Sequence, residues 1–274
     1  MKYRNNNHGG IMKRWFTLGL IMIMALSLFA ERKALVIANS NYDRVTLNSP
    51  INDATNMESA LTGLGFSVSR YNNLRLAAMV SAVDSFATTI TANDDVVVYF
   101  AGHGTAYDGV NYLCPAGMNL STSQSYKKTA YNLNTLAAKT KIARTSMLVI
   151  EASKQWTPDG TKAIAKPFAK MLATAPTKQV IVFSARPDKI VLNSYEEKSI
   201  FTTTFIKNIT ESDLNFNLMM QGVITEVATQ TKGLQVPWVS GVMTTEFIFN
   251  PLDSKWRFKS FDLWDTEGGG SISW

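Results

Sequence analysis

The sequence predicts an α/β fold, a three-layer sandwich in which helices cover both faces of a mainly parallel sheet. Two observations carry this. Short runs rich in β-branched residues, 33–38 (KALVIA), 95–100 (DVVVYF), 147–152 (MLVIEA) and 179–185 (QVIVFSA), are too continuously apolar to be half exposed. Longer segments of helical period lie between such runs, and the alternation of strand and helix is the pattern of βαβ units.

Each element has its own signal. After the first strand, a helix is expected over 50–64, where Ala54, Met57, Leu61 and Leu64 recur at three- and four-residue spacing and Gly65 provides the stop. Gly63-Leu64-Gly65 follows this helix instead of preceding one, so it is a helix end and not a phosphate-binding loop. A shorter strand over 66–71, a helix over 74–89 and the strand 95–100 come next. The strands 147–152 and 179–185 are separated by a polar stretch with Pro158, Asp159 and Gly160 and by a helix near 168–172. A late helix covers 214–230. The expected division is an export signal over 1–30, one domain over 31–245 and a C-terminal extension over 246–274, either packed on the domain or a loose tail.

Composition narrows the function. With 274 residues, 46% hydrophobic and 18% charged, the chain is neither disordered, collagenous nor coiled coil. One Cys excludes an intramolecular disulfide, and with two His it leaves too few soft ligands for a structural zinc site, so no metal and no cofactor is expected. The net charge is +6, but Lys2, Arg4, Lys13 and Arg14 fall in the first 30 residues, which hold no acid. The remainder carries 23 basic and 21 acidic residues, +2, with no basic stripe interleaved with aromatics, so nucleic acid is not an expected partner.

The first 30 residues have the layout of a secretory signal: Lys13 and Arg14, an uncharged run over 16–30, then Glu31-Arg32-Lys33. The run is shorter than the roughly 20 residues that span a bilayer, so cleavage after Ala30 is expected and no stable membrane span remains. The expected location is periplasmic or secreted. Leu28 sits where a small residue is preferred, and the alternative is membrane anchoring by an uncleaved signal.

In an open parallel sheet, ligands bind beyond the carboxyl ends of the strands. Two ends are unusual, Ala101-Gly102-His103-Gly104 and Glu151-Ala152-Ser153-Lys154. Gly102 and Gly104 remove side chains on both sides of the imidazole, which suits close approach by a substrate main chain better than core packing.

These residues carry a resemblance to the caspase-like cysteine peptidases, especially their bacterial and metacaspase-like members. It runs over about 33–238, through KALVIANSNY, Asn52-Asp53-Ala54, Leu64-Gly65-Phe66, VVVYFAGHG, Asn111-Tyr112-Leu113 with Pro115, LVIEASKQ, VIVFSA, Phe201-Thr202 and Gln235-Val236-Pro237-Trp238. The resemblance implies a three-layer sandwich of caspase type, with His103 in the place of the general base and Gly104 as an oxyanion-hole donor. It also implies that Asp53 and Glu151 line an acidic pocket for an Arg or Lys side chain.

The nucleophile departs from the pattern. Alignment of Glu151-Ala152-Ser153-Lys154 on the family's Asp-Ala-Cys-Arg puts Ser153 where a thiol is expected. The one thiol, Cys114, falls in NYLCP, where it reads as a small buried hydrophobe. A hydroxyl must lose its proton to a well-oriented base during attack, whereas a thiol is partly ionised near neutrality. The expectation is therefore an exported, catalytically inactive caspase-like domain that binds a peptide or protein segment bearing Arg or Lys, or regulates a partner. The alternatives are a weak Ser153–His103 or residual caspase-type endopeptidase acting after Arg or Lys, and a purely structural domain.

Overall fold

The computed structural model describes residues 31–43, 45–120, 126–152, 168–169, 178–187 and 197–252. Its centre is a six-stranded sheet made from the apolar runs. These are β1 (Arg32–Ala38), β4 (Ser67–Asn72), β5 (Asp95–Ala101), β9 (Thr145–Glu151), β10 (Gln179–Phe183) and β11 (Trp238–Ser240), in the order β11-β10-β9-β5-β1-β4. The pairs β1–β4, β1–β5, β5–β9 and β9–β10 are parallel and β11 is antiparallel to β10. The molecule is thus a three-layer α/β sandwich around a mainly parallel sheet.

Both sheet faces are apolar because both are covered, which is why the strand sequences show no polar alternation. On one face Val36, Val97, Val149 and Val182 pack against α1 (Ser49–Gly63), α5 (Ile200–Thr210) and α6 (Phe216–Gln230). Met57 and Leu61 of α1, Phe201 and Phe205 of α5, and Val223 and Val227 of α6 face inward at helical spacing. The other face puts Leu35, Ile37, Val98, Phe100, Leu148 and Phe183 against Met79, Val83 and Phe86 of α2 (Leu76–Thr88) and Leu136 of α4 (Leu133–Thr140). Adjacent residues of one strand therefore serve different layers, as the period of two requires.

Smaller elements surround the carboxyl end of the sheet. A ribbon of β2 (Asn41–Tyr42) and β3 (Val45–Thr46) follows β1. A three-stranded sheet, β6 (Gly104–Tyr107), β7 (Val110–Leu113) and β8 (Tyr131–Asn132), extends from the end of β5, with α3 (Tyr126–Thr129) before β8. This sheet is absent from the sequence expectation, since its strands are two to four residues long and mixed in polarity. Asp108 and Gly109 make its hairpin turn, with φ +52° and +74°.

The helix expected near 168–172 is not found at its described start. Phe168 and Ala169 lie outside any helix, and the Ala169 carbonyl accepts from Asn111 Nδ2. The rest of that segment lies outside the described residues, as do 1–30 and Ser153. Of the segment 246–274, the described part packs on the domain: Phe247 and Phe249 are buried in the main core, and the Arg32 guanidinium donates to the carbonyls of Ile248, Phe249 and Leu64. Among the described residues no helix is long and apolar enough to cross a membrane.

Candidate functional site

β5 ends at Ala101, and the chain turns through Gly102 and His103 into β6. The Gly102 N–H donates to the Glu151 carbonyl at 3.1 Å, which ties this turn to the end of β9, two positions before Ser153 in sequence. A Cβ on Gly102 would fall 2.5 Å from the Tyr42 hydroxyl and 3.0 Å from the Asn39 carbonyl, so only glycine fits. His103 is 1% exposed. Its N–H donates to the Tyr42 hydroxyl at 2.8 Å, its carbonyl accepts from the Cys114 N–H at 3.0 Å, and the Tyr42 ring stands edge-on to the imidazole at 4.7 Å.

The spaces beside the two glycines are therefore filled by the protein itself, by Tyr42 at Gly102 and by Phe168 at Gly104. This corrects the expectation that they are left open for a substrate main chain. A Cβ on Gly104 would lie 2.3 Å from Phe168 Cζ and 3.0 Å from Ala152 Cβ. The Gly104 N–H has a defined direction. The Cys114 N–H bonds to the His103 carbonyl in register with the ladder, so the next pair, Gly104 with Leu113, is a non-bonded one, and the Gly104 N–H points away from β7, on the side of β6 that pairs with no other described strand.

Both carboxylates are buried at the carboxyl end of the sheet. Asp53, the fifth residue of α1, and Glu151, the last residue of β9, are 1% and 0% exposed. Asp53 is not a helix-terminal acid of its own helix: its Oδ1 accepts from the Ser199 N–H at 2.9 Å, at the N-cap of α5. Register places Glu151 beside Ala101, on the face shared with Tyr99. Burial pushes the Tyr99 hydroxyl well above its usual pKa, and the charges of Asp53 and Glu151 push it further. The same hydroxyl is hydrogen-bonded to Thr202 Oγ1 of α5 at 2.7 Å. Thus His103, Gly104, Asp53 and Glu151 all lie at the carboxyl end of the sheet. Ser153 follows Ala152 in sequence but lies outside the described residues.

Cys114 is 2% exposed, and burial pushes its thiol up to about 12, the opposite of an activated thiolate. It sits among Tyr42, Tyr112, Met118, Leu120 and Tyr126 in a satellite core. Sequence assigns no role to Tyr42, Tyr99, Ser199 or Thr202, although Tyr42, Tyr99 and Thr202 fall within the matched stretches. Their roles depend on contacts across 61 to 146 positions of chain, for which no local pattern exists.

With this geometry in view, comparison with known proteins is informative. A model of the caspase domain matches residues 31–249. The crystal structure of caspase-1 from Spodoptera frugiperda is similar in fold, with a TM-score of 0.61 and 17% identity over 82% of this chain and 94% of that one. No curated protein matches the sequence. The match extends over most of the chain and over every strand of the central sheet, and the chain belongs to the caspase-domain family.

Proposed function

We propose that this is an exported, catalytically inactive caspase-like domain that binds peptide or protein segments bearing Arg or Lys and so acts as a scaffold, decoy or regulator. The observation that carries the recognition half is the burial of two carboxylates, Asp53 and Glu151, at the carboxyl end of the sheet. Two acids held in a low-dielectric site favour a cationic side chain, with Arg able to engage carboxylates through two parallel hydrogen bonds. The inactivity half rests on Ser153 in the nucleophile position and on the burial of the one thiol, Cys114. The export half rests on the layout of residues 1–30, with a periplasmic or secreted location.

The test is binding and turnover measured on one preparation. A peptide ending in Arg binds in calorimetry, its affinity falls about tenfold or more with Asp53→Asn or Glu151→Gln, and Arg- and Lys-terminated reporters are not cleaved. Cleavage that disappears in Ser153→Ala, together with labelling of Ser153 by a fluorophosphonate, overturns inactivity in favour of a Ser153–His103 endopeptidase. Equal affinity for the Arg peptide and a neutral one overturns the recognition half.

A further inference from the structure

Asn111 belongs to the Asn-Tyr-Leu stretch of β7 and is 2% exposed. It commits both amide atoms to one distant main-chain position. Nδ2 donates to the Ala169 carbonyl at 2.9 Å and Oδ1 accepts from the Ala169 N–H at 2.8 Å, across 58 residues of sequence. A carboxamide that donates and accepts at the same residue offers what a neighbouring strand offers, so it recognises main chain and ignores the side chain.

Alternation along the hairpin puts Asn111 and Leu113 on one face, and Gly104, directly opposite Leu113, shares it. Phe168 lies on that face. Its ring fills the space left by the missing Cβ of Gly104 and packs on Phe183 at 5.4 Å between centroids. Phe168 and Ala169 are therefore held as a bound peptide would be, main chain on a carboxamide and aromatic ring in a recess floored by glycine.

We propose that this face of the β6–β7 hairpin is a peptide-binding subsite for an aromatic residue followed by extended main chain, with Phe168 and Ala169 as its resident in cis. The resident lies against Gly104 and Ala152, so a peptide arriving in trans engages only after it leaves. This deepens the reading of the His103 end as a peptide site, but it makes no use of the acidic pair, so loss of Arg or Lys recognition leaves it intact.

The probe is a fluorescein-labelled Gly-Pro-Phe-Ala-Gly amide, which carries no cation, with its Phe-to-Ala counterpart as control. Full-length Phe168→Ala, with the recess vacated, binds the probe about tenfold or more tighter than wild type in anisotropy titrations. The control does not bind, and adding Asn111→Ala abolishes binding. Equal affinity of wild type and variant, or of probe and control, overturns the proposal. Should Phe168→Ala not fold, hydrogen exchange on the wild-type chain decides. An Ala169 amide that exchanges through local opening, faster than Val97 and Val98 of β5, supports an exchangeable resident. Protection equal to those core amides overturns it, because the segment then leaves only with global unfolding.

Discussion

The hydroxyl of Tyr42 completes a broken rung between His103 and Cys114. The Cys114 N–H reaches the His103 carbonyl directly at 3.0 Å, but the reciprocal bond is replaced by a relay in which the His103 N–H donates to Tyr42 Oη at 2.8 Å and that hydroxyl donates to the Cys114 carbonyl at 3.3 Å. Asn39 Nδ2 adds a second donor to the same carbonyl at 3.1 Å. The first loop after β1 thereby fixes where the imidazole-bearing residue leaves the sheet and where the hairpin starts.

Removing that hydroxyl should be felt at His103. Tyr42→Phe keeps the ring but leaves a buried N–H without its acceptor, a loss of about 1–3 kcal/mol. The Cys114 carbonyl still has Asn39, so the damage concentrates on one side of the rung. Chemical denaturation should show the destabilisation, and the His103 amide should lose hydrogen-exchange protection while β1 amides away from this rung keep theirs.

Cys114 should behave as an inert thiol. Because burial holds it near 12, the thiolate fraction at neutral pH is negligible, and at 2% exposure a reagent has no path to it. Ellman's reagent should leave the native protein unmodified and titrate one thiol in denaturant. Rapid labelling of the native state would mean that the cluster of Tyr42, Tyr112 and Tyr126 opens on the time scale of the assay.

Sequence reasoning succeeded where one element's own periodicity carries the information. The doubly covered strands declare themselves because every position of β5 is buried, and α1 because Met57 and Leu61 recur on one face. His103 and Glu151 stand at strand ends, where an open parallel sheet places its ligand crevice, whereas Asp53 lies within a helix and enters only through the Asn52-Asp53-Ala54 resemblance. Sequence reasoning could not see what fills the glycine spaces. Tyr42 and Phe168 look like ordinary aromatics in sequence, and they reach these glycines across 60 and 64 positions of chain. The hairpin is not legible in sequence because its strands are short and its buried residues mix polar Thr105 and Asn111 with Tyr112 and Leu113.

Gly104 and Phe168 should be energetically coupled. Gly104→Ala drives a methyl group into the edge of the Phe168 ring, 2.3 Å from Cζ, and overpacking of this kind costs about 1–3 kcal/mol. In Phe168→Ala the space is vacant and the same methyl is accommodated, apart from the 3.0 Å approach to Ala152 Cβ. The double-mutant cycle should therefore show a favourable coupling of about 0.5–3 kcal/mol. Strict additivity would mean that the ring moves aside without loss in Gly104→Ala.

Acid should release the Asp94 network at the opposite end of the sheet. Burial pushes the Asp94 carboxyl up, but the Lys33 ammonium at 2.9 Å and the N–H groups of Thr91 at 2.7 Å and Glu31 at 3.2 Å outweigh it and hold the group below its ordinary range. A folded pKa below the unfolded one stabilises the native state fully above the unfolded value of about 3.9, and that contribution is lost as pH falls from there through the native value. The stability difference between wild type and Asp94→Asn should accordingly be flat through neutral and mildly acidic pH and shrink below about pH 4. Denaturant titrations of both proteins across that window measure it, and a difference that instead grew on acidification would show that Asp94 is protonated in the native state.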